Sequence, residues 1–154
     1  MAAKLKLGDS LPVFQLPSQS GDTISSESLM GQGPLVIYFY PKDNSPGCTA
    51  QACAIRDQYE EFTDAGAQVV GISSDSEESH VTFAKDHRLP FVLLSDRKGE
   101  AQRAFGVSKS LGFIPGRETF VFDKEGKLQH HFSSQIRATK HVAEALKVLK
   151  RLSS

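Results

Sequence analysis

Three short apolar segments in the first two thirds of the chain have the pattern of buried β-strands. They are PLVIYFY at 34–40, AQVVGISSD at 67–75 and PFVLLSD at 90–96. Their apolar residues follow one another without the regular polar alternation of a strand that has one face in water. We therefore expect all three strands to be covered on both faces.

The segment 48–66 (CTAQACAIRDQYEEFTDAG) lies between the first two strands and has the periodicity of an α-helix. It has no internal Gly or Pro, and Gly66 supplies a stop signal at its end. One apolar stripe runs along it, formed by Ala52, Ile55, Tyr59 and Phe62. The pattern predicts a single helix that ends at Gly66.

Further helices are predicted in the rest of the chain. Ser76 can cap a helix that runs to about residue 87, with apolar positions at Val81, Phe83 and Ala84. A short helix is expected at 100–105. Thr139 can cap a final amphipathic helix, which carries Val142, Leu146, Leu149 and Leu152.

The segments ETFVFD (118–123) and KLQHHF (127–132) flank the turn KEG and predict a β-hairpin. Strands that alternate with helices and finish in a hairpin predict an α/β fold, with a mixed central sheet flanked by helices. A βαβ start and a ββα finish best match a thioredoxin-like fold. The length of 154 residues fits a single domain that spans positions 1–154.

Charge and composition exclude several classes of partner. Lys plus Arg and Asp plus Glu are both 18, so the formal net charge is zero, and neither nucleic acid nor a membrane surface is an expected partner. The apolar runs are too short to span a membrane. The N-terminus lacks a signal or transit pattern, so the protein acts where it is made or follows a removed leader.

The cysteine and histidine spacings argue against a metal site. The two cysteines form C-x(4)-C at 48–53, which is neither C-x-x-C nor half of a recognisable zinc site. The five histidines form no H-x-x-x-H or C-x-x-H pair, and we interpret them as surface or hydrogen-bonded residues. We therefore expect no metal. The chain also contains neither G-x-x-x-x-G-K-[ST] nor G-x-G-x-x-G, so we expect no bound nucleotide cofactor.

The stretch YPKDNSPGC places Cys48 after a buried strand, in the first turn of the predicted helix. Unpaired backbone N–H groups and the helix dipole favour a thiolate there, which is the nucleophilic form of cysteine. Ser45 can donate a hydrogen bond to that thiolate, while Pro41 and Pro46 stiffen the loop. The alternative is a buried structural cysteine.

This stretch, PKDNSPGC at 41–48, resembles the peroxiredoxin signature P-x-x-x-T/S-x-x-C, with Ser45 where most members carry Thr. The wider text YFYPKDNSPGCTAQACAIRD is similar to the peroxiredoxin Q, or bacterioferritin comigratory protein, subfamily. The resemblance implies that Arg117, in PGRETF, is the active-site arginine. A guanidinium can hold a thiolate and peroxide oxygens together.

Geometry constrains any bond between Cys48 and Cys53. Five residues along an intact helix separate two Cα atoms by about 8.6 Å, whereas a disulfide needs less than about 7 Å. Either the start of the helix unwinds, or Cys53 never bonds Cys48. The resemblance implies that Cys53 is the resolving cysteine, so we expect local unwinding during the cycle.

The resemblance also implies a reaction cycle. Cys48 reduces a hydroperoxide and becomes a sulfenic acid, Cys53 forms the disulfide, and thioredoxin or a similar dithiol reduces it, without metal, haem or flavin. Two alternatives remain: a non-catalytic redox sensor or holdase, and a dithiol exchange protein. The subfamily implies a soluble intracellular protein, often monomeric, in a plastid or in bacterial cytoplasm.

Overall fold

The computed structural model describes residues 5–110, 114–134 and 138–152. Its strands are β1 (Gln15–Pro17), β2 (Thr23–Ser25), β3 (Leu35–Phe39), β4 (Gln68–Ser73), β5 (Val92–Ser95), β6 (Lys109–Ser110), β7 (Ile114–Pro115), β8 (Glu118–Phe122) and β9 (Leu128–Ser133). Its helices are α1 (Ser26–Leu29), α2 (Pro46–Asp57), α3 (Tyr59–Asp64), α4 (Glu77–His87), α5 (Glu100–Phe105) and α6 (Ala138–Leu152). No helix in these ranges is long and apolar enough to cross a membrane.

The central sheet has five strands in the order β5-β4-β3-β8-β9. β3, β4 and β5 are parallel, whereas β8 runs antiparallel to both β3 and β9. The predicted mixed sheet and the predicted final hairpin are therefore confirmed. Short two-stranded ladders, β1-β2 and β6-β7, lie outside this sheet.

Side chains of β3 divide between two cores because successive residues of a strand point to opposite faces. Val36 and Tyr38 join a cluster with apolar residues of α2, α3, α4 and α6. Leu35, Ile37 and Phe39 join a second cluster with residues of α1, α5 and the N-terminal segment. The sheet is thus covered on both faces, as its apolar strands predict.

The segment predicted as one helix at 48–66 consists of two helices. α2 begins at Pro46, before Cys48, and ends at Asp57, and α3 follows after Gln58. Gln58 leaves helical geometry, with φ −111° and ψ 16°, and its amide bonds back to the carbonyls of α2. The apolar stripe continues across the break, since Ala52, Ile55 and Phe62 are all buried.

Other predictions had mixed outcomes. Ser76 caps α4 as predicted, and its hydroxyl accepts the Ser79 amide, but Val81 is 46% exposed. The neighbouring His80 is buried in the core instead. Thr139 is not a cap, because α6 already begins at Ala138.

Candidate active site

Strand pairing brings the start of α2 to Arg117. In the antiparallel pair β3-β8, Phe39 at the end of β3 lies opposite Glu118 at the start of β8. The chain leaving β3 therefore runs beside the residue that precedes β8, which is Arg117. Cys48 follows this loop as the third residue of α2.

The loop before α2 has a fixed turn geometry. Ser45 occupies the N-cap position, and its carbonyl accepts the Thr49 amide at 2.8 Å. Asn44 adopts the left-handed region, with φ 64°, which Asn tolerates better than most residues. Pro46 suits the first helical position because its ring presets φ and it lacks an amide hydrogen that would go unpaired there. The prediction that Cys48 lies in the first turn of a helix is thus confirmed, although the helix begins two residues before the predicted segment 48–66.

Cys48 and Arg117 are in contact inside the protein. The Arg117 Nη2 atom donates to the Cys48 Sγ at 3.4 Å. Both residues are buried, with exposures of 1% for Cys48 and 4% for Arg117. A cation held against a sulfur in a desolvated site, at a helix N-terminus, stabilises the thiolate electrostatically.

Two residues that the sequence analysis did not single out set the position of Arg117. Arg117 Nη1 donates to Gln51 Oε1 at 2.6 Å, one turn along α2 from Cys48. A Cβ atom on Gly47 would lie 2.8 Å from Arg117 Nη2, so only glycine leaves room for the guanidinium. Gln51 could have been suspected from its spacing of three from Cys48.

Ser45 and Pro41 lie near Cys48 in the chain, and both are partly exposed. The Ser45 hydroxyl donates to the Lys42 carbonyl at 2.9 Å rather than to Cys48. Its predicted hydrogen bond to the thiolate is therefore not made in this conformation. A hydroxyl rotates freely, so it keeps the capacity to donate elsewhere.

A buried network of hydrogen-bonded side chains connects the loop before α2 to α4 and β5. The Asp43 carboxylate accepts the Tyr40 hydroxyl at 2.6 Å and the Ser79 hydroxyl at 2.8 Å. His80 Nδ1 lies 2.7 Å from the same carboxylate, and its Nε2 lies 3.0 Å from the Leu94 carbonyl. A carbonyl only accepts, so His80 Nε2 carries a proton and donates it to the Leu94 carbonyl.

This network contains the one grouping of possible metal ligands among the described residues, formed by Asp43, Asp75 and His80. Its ligand atoms already have protein partners. Asp75 Oδ2 accepts the Ser73 hydroxyl at 2.6 Å and the Asp43 amide at 2.8 Å. The network is satisfied by hydrogen bonds alone, and it gives no reason to invoke an ion.

Cys53 lies within the intact part of α2, where it is partly exposed. Both cysteines are free thiols. Because α2 is continuous from Pro46 to Asp57, the helical separation of about 8.6 Å between their Cα atoms applies. Cys53 Sγ instead contacts His87 Nδ1 at 3.8 Å, across the interface between α2 and α4.

A second buried histidine lies where α6 packs on β8. His141 Nδ1 lies 2.8 Å from the Thr119 hydroxyl, and Nε2 lies 2.9 Å from the Ser134 carbonyl. Burial lowers the pKa of His141 from 6.5 to about 4, an effect that the Ser134 hydrogen bond partly offsets and the Arg117 charge reinforces. His141 is thus neutral at pH 7, and it fits the interpretation of the histidines as hydrogen-bonded residues.

Burial also raises the pKa of Tyr38, and the Cys48 charge raises it further. The Tyr38 hydroxyl has no hydrogen-bond partner in the described part of the chain. The Tyr38 hydroxyl stays protonated, and the residue belongs to the same buried apolar cluster as Cys48. Gly71 makes room for its ring, since a Cβ there would lie 2.9 Å from the Tyr38 hydroxyl.

Comparisons with known proteins agree with this geometry. The sequence model of the AhpC/TSA family matches residues 7–131. The chain is 50% identical over 151 residues to "Peroxiredoxin Q, chloroplastic" of Sedum lineare, covering 97% of this chain and 81% of that protein.

Two solved bacterial structures have the same fold. One is the peroxidoxin BcpB of Mycobacterium tuberculosis, with a TM-score of 0.90, 37% identity, and coverage of 97% of this chain and 99% of that chain. The other is the bacterioferritin comigratory protein of Xanthomonas campestris, with a TM-score of 0.85, 28% identity, and coverage of 95% and 100%. Thioredoxin-like peroxiredoxins thus share the architecture of this chain.

Proposed function

The chain belongs to the AhpC/TSA family and is a thiol-dependent peroxidase, an oxidoreductase of the peroxiredoxin Q type, and we propose that Cys48 is its peroxidatic cysteine. The observation that carries the assignment is the buried contact between Arg117 Nη2 and Cys48 Sγ, 3.4 Å long. Cys53, which is partly exposed and lies farther along α2, lacks this cation and the helix N-terminus.

In the first step, the Cys48 thiolate attacks one peroxide oxygen. The S–O bond forms as the O–O bond breaks, and the leaving oxygen departs as water or an alcohol after it takes up a proton. Negative charge moves from sulfur to the leaving oxygen during this step. Arg117, held by Gln51, is positioned to stabilise that charge in both places, and Ser45 can donate to the peroxide once its hydroxyl rotates.

Pro41 has a structural role in this proposal. Its ring restricts the backbone torsion of the residue that begins the loop after β3 and removes one N–H group from it. The loop is also held by Asp43, whose amide and carboxylate are both bonded to the segment around α4. A rigid loop keeps the first turn of α2, and with it the Cys48 thiol, in a fixed position.

In the second step, the Cys53 thiol condenses with the Cys48 sulfenic acid, giving an intramolecular disulfide and water. The intact α2 separates the two Cα atoms by about 8.6 Å, so the first turns of α2 must unwind before the S–S bond can form. Helix termini open at low free-energy cost, which makes this motion available at equilibrium.

An external dithiol then reduces the disulfide by thiol–disulfide exchange, and thioredoxin is the reductant that we infer. Hydrogen peroxide and alkyl hydroperoxides are the inferred substrates, because the Xanthomonas campestris relative is described for its alkyl peroxide reduction activity. By analogy with the chloroplastic Sedum relative, we propose that the protein acts in a chloroplast. The resemblance to a subfamily whose members are often monomeric leads us to propose a monomer. Cell fractionation and size-exclusion chromatography test those two assignments.

The decisive experiment is steady-state peroxide consumption with thioredoxin, thioredoxin reductase and NADPH. Cys48→Ser should abolish turnover with every reductant. Cys53→Ser should retain one turnover and then accumulate sulfenic acid. Arg117→Ala should stay folded and react roughly 10²–10³-fold more slowly, the usual cost of one lost transition-state donor. Near wild-type turnover of Cys48→Ser would refute the assignment of the peroxidatic cysteine.

A sensor or a dithiol exchange protein is not favoured, since the relatives are peroxidases. A sensor would consume only one equivalent of peroxide even with thioredoxin present. A dithiol exchange protein would turn over protein disulfides without peroxide. The same assay therefore separates all three activities.

A further inference from the structure

His87 contacts Cys53, although neither peroxide reduction nor disulfide formation has been assigned a role for this histidine. Its Nδ1 atom lies 3.8 Å from Cys53 Sγ, within hydrogen-bonding range for sulfur. Cys53 belongs to α2 and His87 is the last residue of α4, so tertiary packing alone creates the pair.

Two further contacts fix His87 in this position. Arg56, one turn after Cys53 on α2, donates from Nη1 to the His87 carbonyl at 2.7 Å. The Phe83 ring meets the His87 ring edge to face, with centroids 5.1 Å apart. The backbone of His87 is thus tied to α2, and its ring is oriented by α4.

We propose that His87 is the proton acceptor for Cys53, so that the resolving thiol is ionised by a histidine from the neighbouring helix. This inference rests on the proposed role of Cys53 as the resolving cysteine. A free thiol is only a few per cent ionised at neutral pH, and the thiolate is the form that attacks. A base in contact with the sulfur removes that limit.

The proton balance of the step is complete. The Cys53 proton moves to His87 Nδ1, and the thiolate attacks the Cys48 sulfenic sulfur. The S–S bond forms as the S–O bond breaks, and the departing hydroxide takes the proton from the imidazolium, which gives one water molecule and returns His87 to its neutral form. Cys53 sulfur is oxidised, and the sulfenic sulfur of Cys48 is reduced.

The surroundings of His87 suit a ring that carries a transient positive charge. It lies in the last turn of α4, where the helix dipole favours a cation. Cys53 and Arg56 face it from α2, and Asp86 and Arg88 adjoin it along the chain. Arg56 is partly neutralised by Asp57, whose carboxylate lies 3.0 Å from it.

The Arg56 contact also indicates which part of α2 moves. It holds the helical turn after Cys53 against α4, whereas Cys48 lies before Cys53, in the first turn of the helix. Cys53 therefore stays beside His87 while the turns that carry Cys48 open. The thiolate is formed before the sulfenic acid reaches it.

The test measures the two steps separately in single-turnover reactions with hydrogen peroxide. Peroxide loss reports the first step, and acid quenching with thiol labelling and mass spectrometry reports disulfide formation. His87→Gln should consume peroxide at the wild-type rate and form the disulfide roughly tenfold more slowly at pH 7. Without a base, a thiol is about 3% ionised at that pH. The loss is smaller than this fraction alone implies, because a thiol of lower pKa is also a weaker nucleophile. His130→Gln, at a histidine in β9, is the matched control and should match wild type in both steps.

Two readouts distinguish a base from a packing role. The defect of His87→Gln should shrink as the pH rises past the ordinary thiol pKa of about 8.5, because hydroxide then ionises Cys53. Added imidazole should accelerate disulfide formation in His87→Ala. A defect that is independent of pH and of imidazole, or no defect at pH 7, would overturn the proposal.

Failure of the proposed function would look different. If wild type consumes peroxide yet forms no Cys48–Cys53 disulfide, then Cys53 is not the resolving cysteine, and the role of His87 falls with it. If wild type forms the disulfide and His87→Gln forms it equally fast, only the proposal for His87 is wrong.

Discussion

Replacing Gly47 with alanine should slow peroxide reduction without destabilising the protein. Gly47 lies in the first turn of α2, next to Cys48, and it has no left-handed backbone angle that alanine would resist. The added Cβ would lie 2.8 Å from Arg117 Nη2, the atom that contacts Cys48 Sγ at 3.4 Å. The substitution therefore acts mainly on Arg117, the proposed active-site cation.

The size of the effect follows from these distances. An ordinary contact between heavy atoms is about 3.5–4.0 Å, so Arg117 Nη2 must retreat by about 0.7 Å or more from the 2.8 Å position. A misplacement of about 1 Å in an active site can cost 10²-fold in rate. We expect the second-order rate constant with hydrogen peroxide to fall roughly 10- to 100-fold.

The free energy of unfolding of Gly47→Ala should not fall along with the rate. Alanine is a better helix former than glycine by up to about 1 kcal/mol. The clash involves the far end of the Arg117 side chain, which is flexible, so the backbone does not have to move to relieve it. The free energy of unfolding should be unchanged or slightly higher, although the enzyme is slower.

Competition with a haem peroxidase gives the rate constant, and urea denaturation followed by circular dichroism gives the stability. Ala50→Gly is the matched control, since Ala50 is exposed on the same helix, and a spacing of two residues directs it to a different face from Cys48. It should lower stability by up to about 1 kcal/mol and leave the rate unchanged. A wild-type rate for Gly47→Ala would show that the position of Arg117 does not limit the reaction.

Two other predictions concern pH and motion. The pKa of His141 is lowered from 6.5 to about 4 in the folded protein, so the unfolded chain binds the proton first as the pH falls. Up to about 3 kcal/mol of folding stability is present above pH 6.5 and is lost as the pH falls toward 4. Urea denaturation should show a flatter dependence for His141→Gln over that interval, and an equal slope would contradict the burial argument. Oxidation should remove amide-exchange protection within 45–59, and most strongly in the turns before Cys53. Unchanged exchange in a protein with a proven Cys48–Cys53 disulfide would show that helix opening is not needed.

Local signals in the sequence predicted much of the site. The apolar strand before PKDNSPGC, the prolines and the helical stripe after it place Cys48 in the first turn of a helix, because each signal acts over a few residues. The spacing of Cys48 and Cys53 also determines their separation once a helix is assumed. The break at Gln58 was missed, since no Gly or Pro marks it and the apolar stripe continues through it.

The sequence by itself determined the order along the chain of the five central strands, the position of Cys48 in the first turn of a helix and the need for unwinding before a disulfide forms. The motif and its resemblance indicated Arg117, but only the pairing of β3 with β8 decides that its guanidinium reaches Cys48. The contacts of Asp43 with His80 and of Cys53 with His87 likewise join residues more than thirty positions apart. No local pattern encodes such contacts, because they depend on how helices pack over a completed sheet.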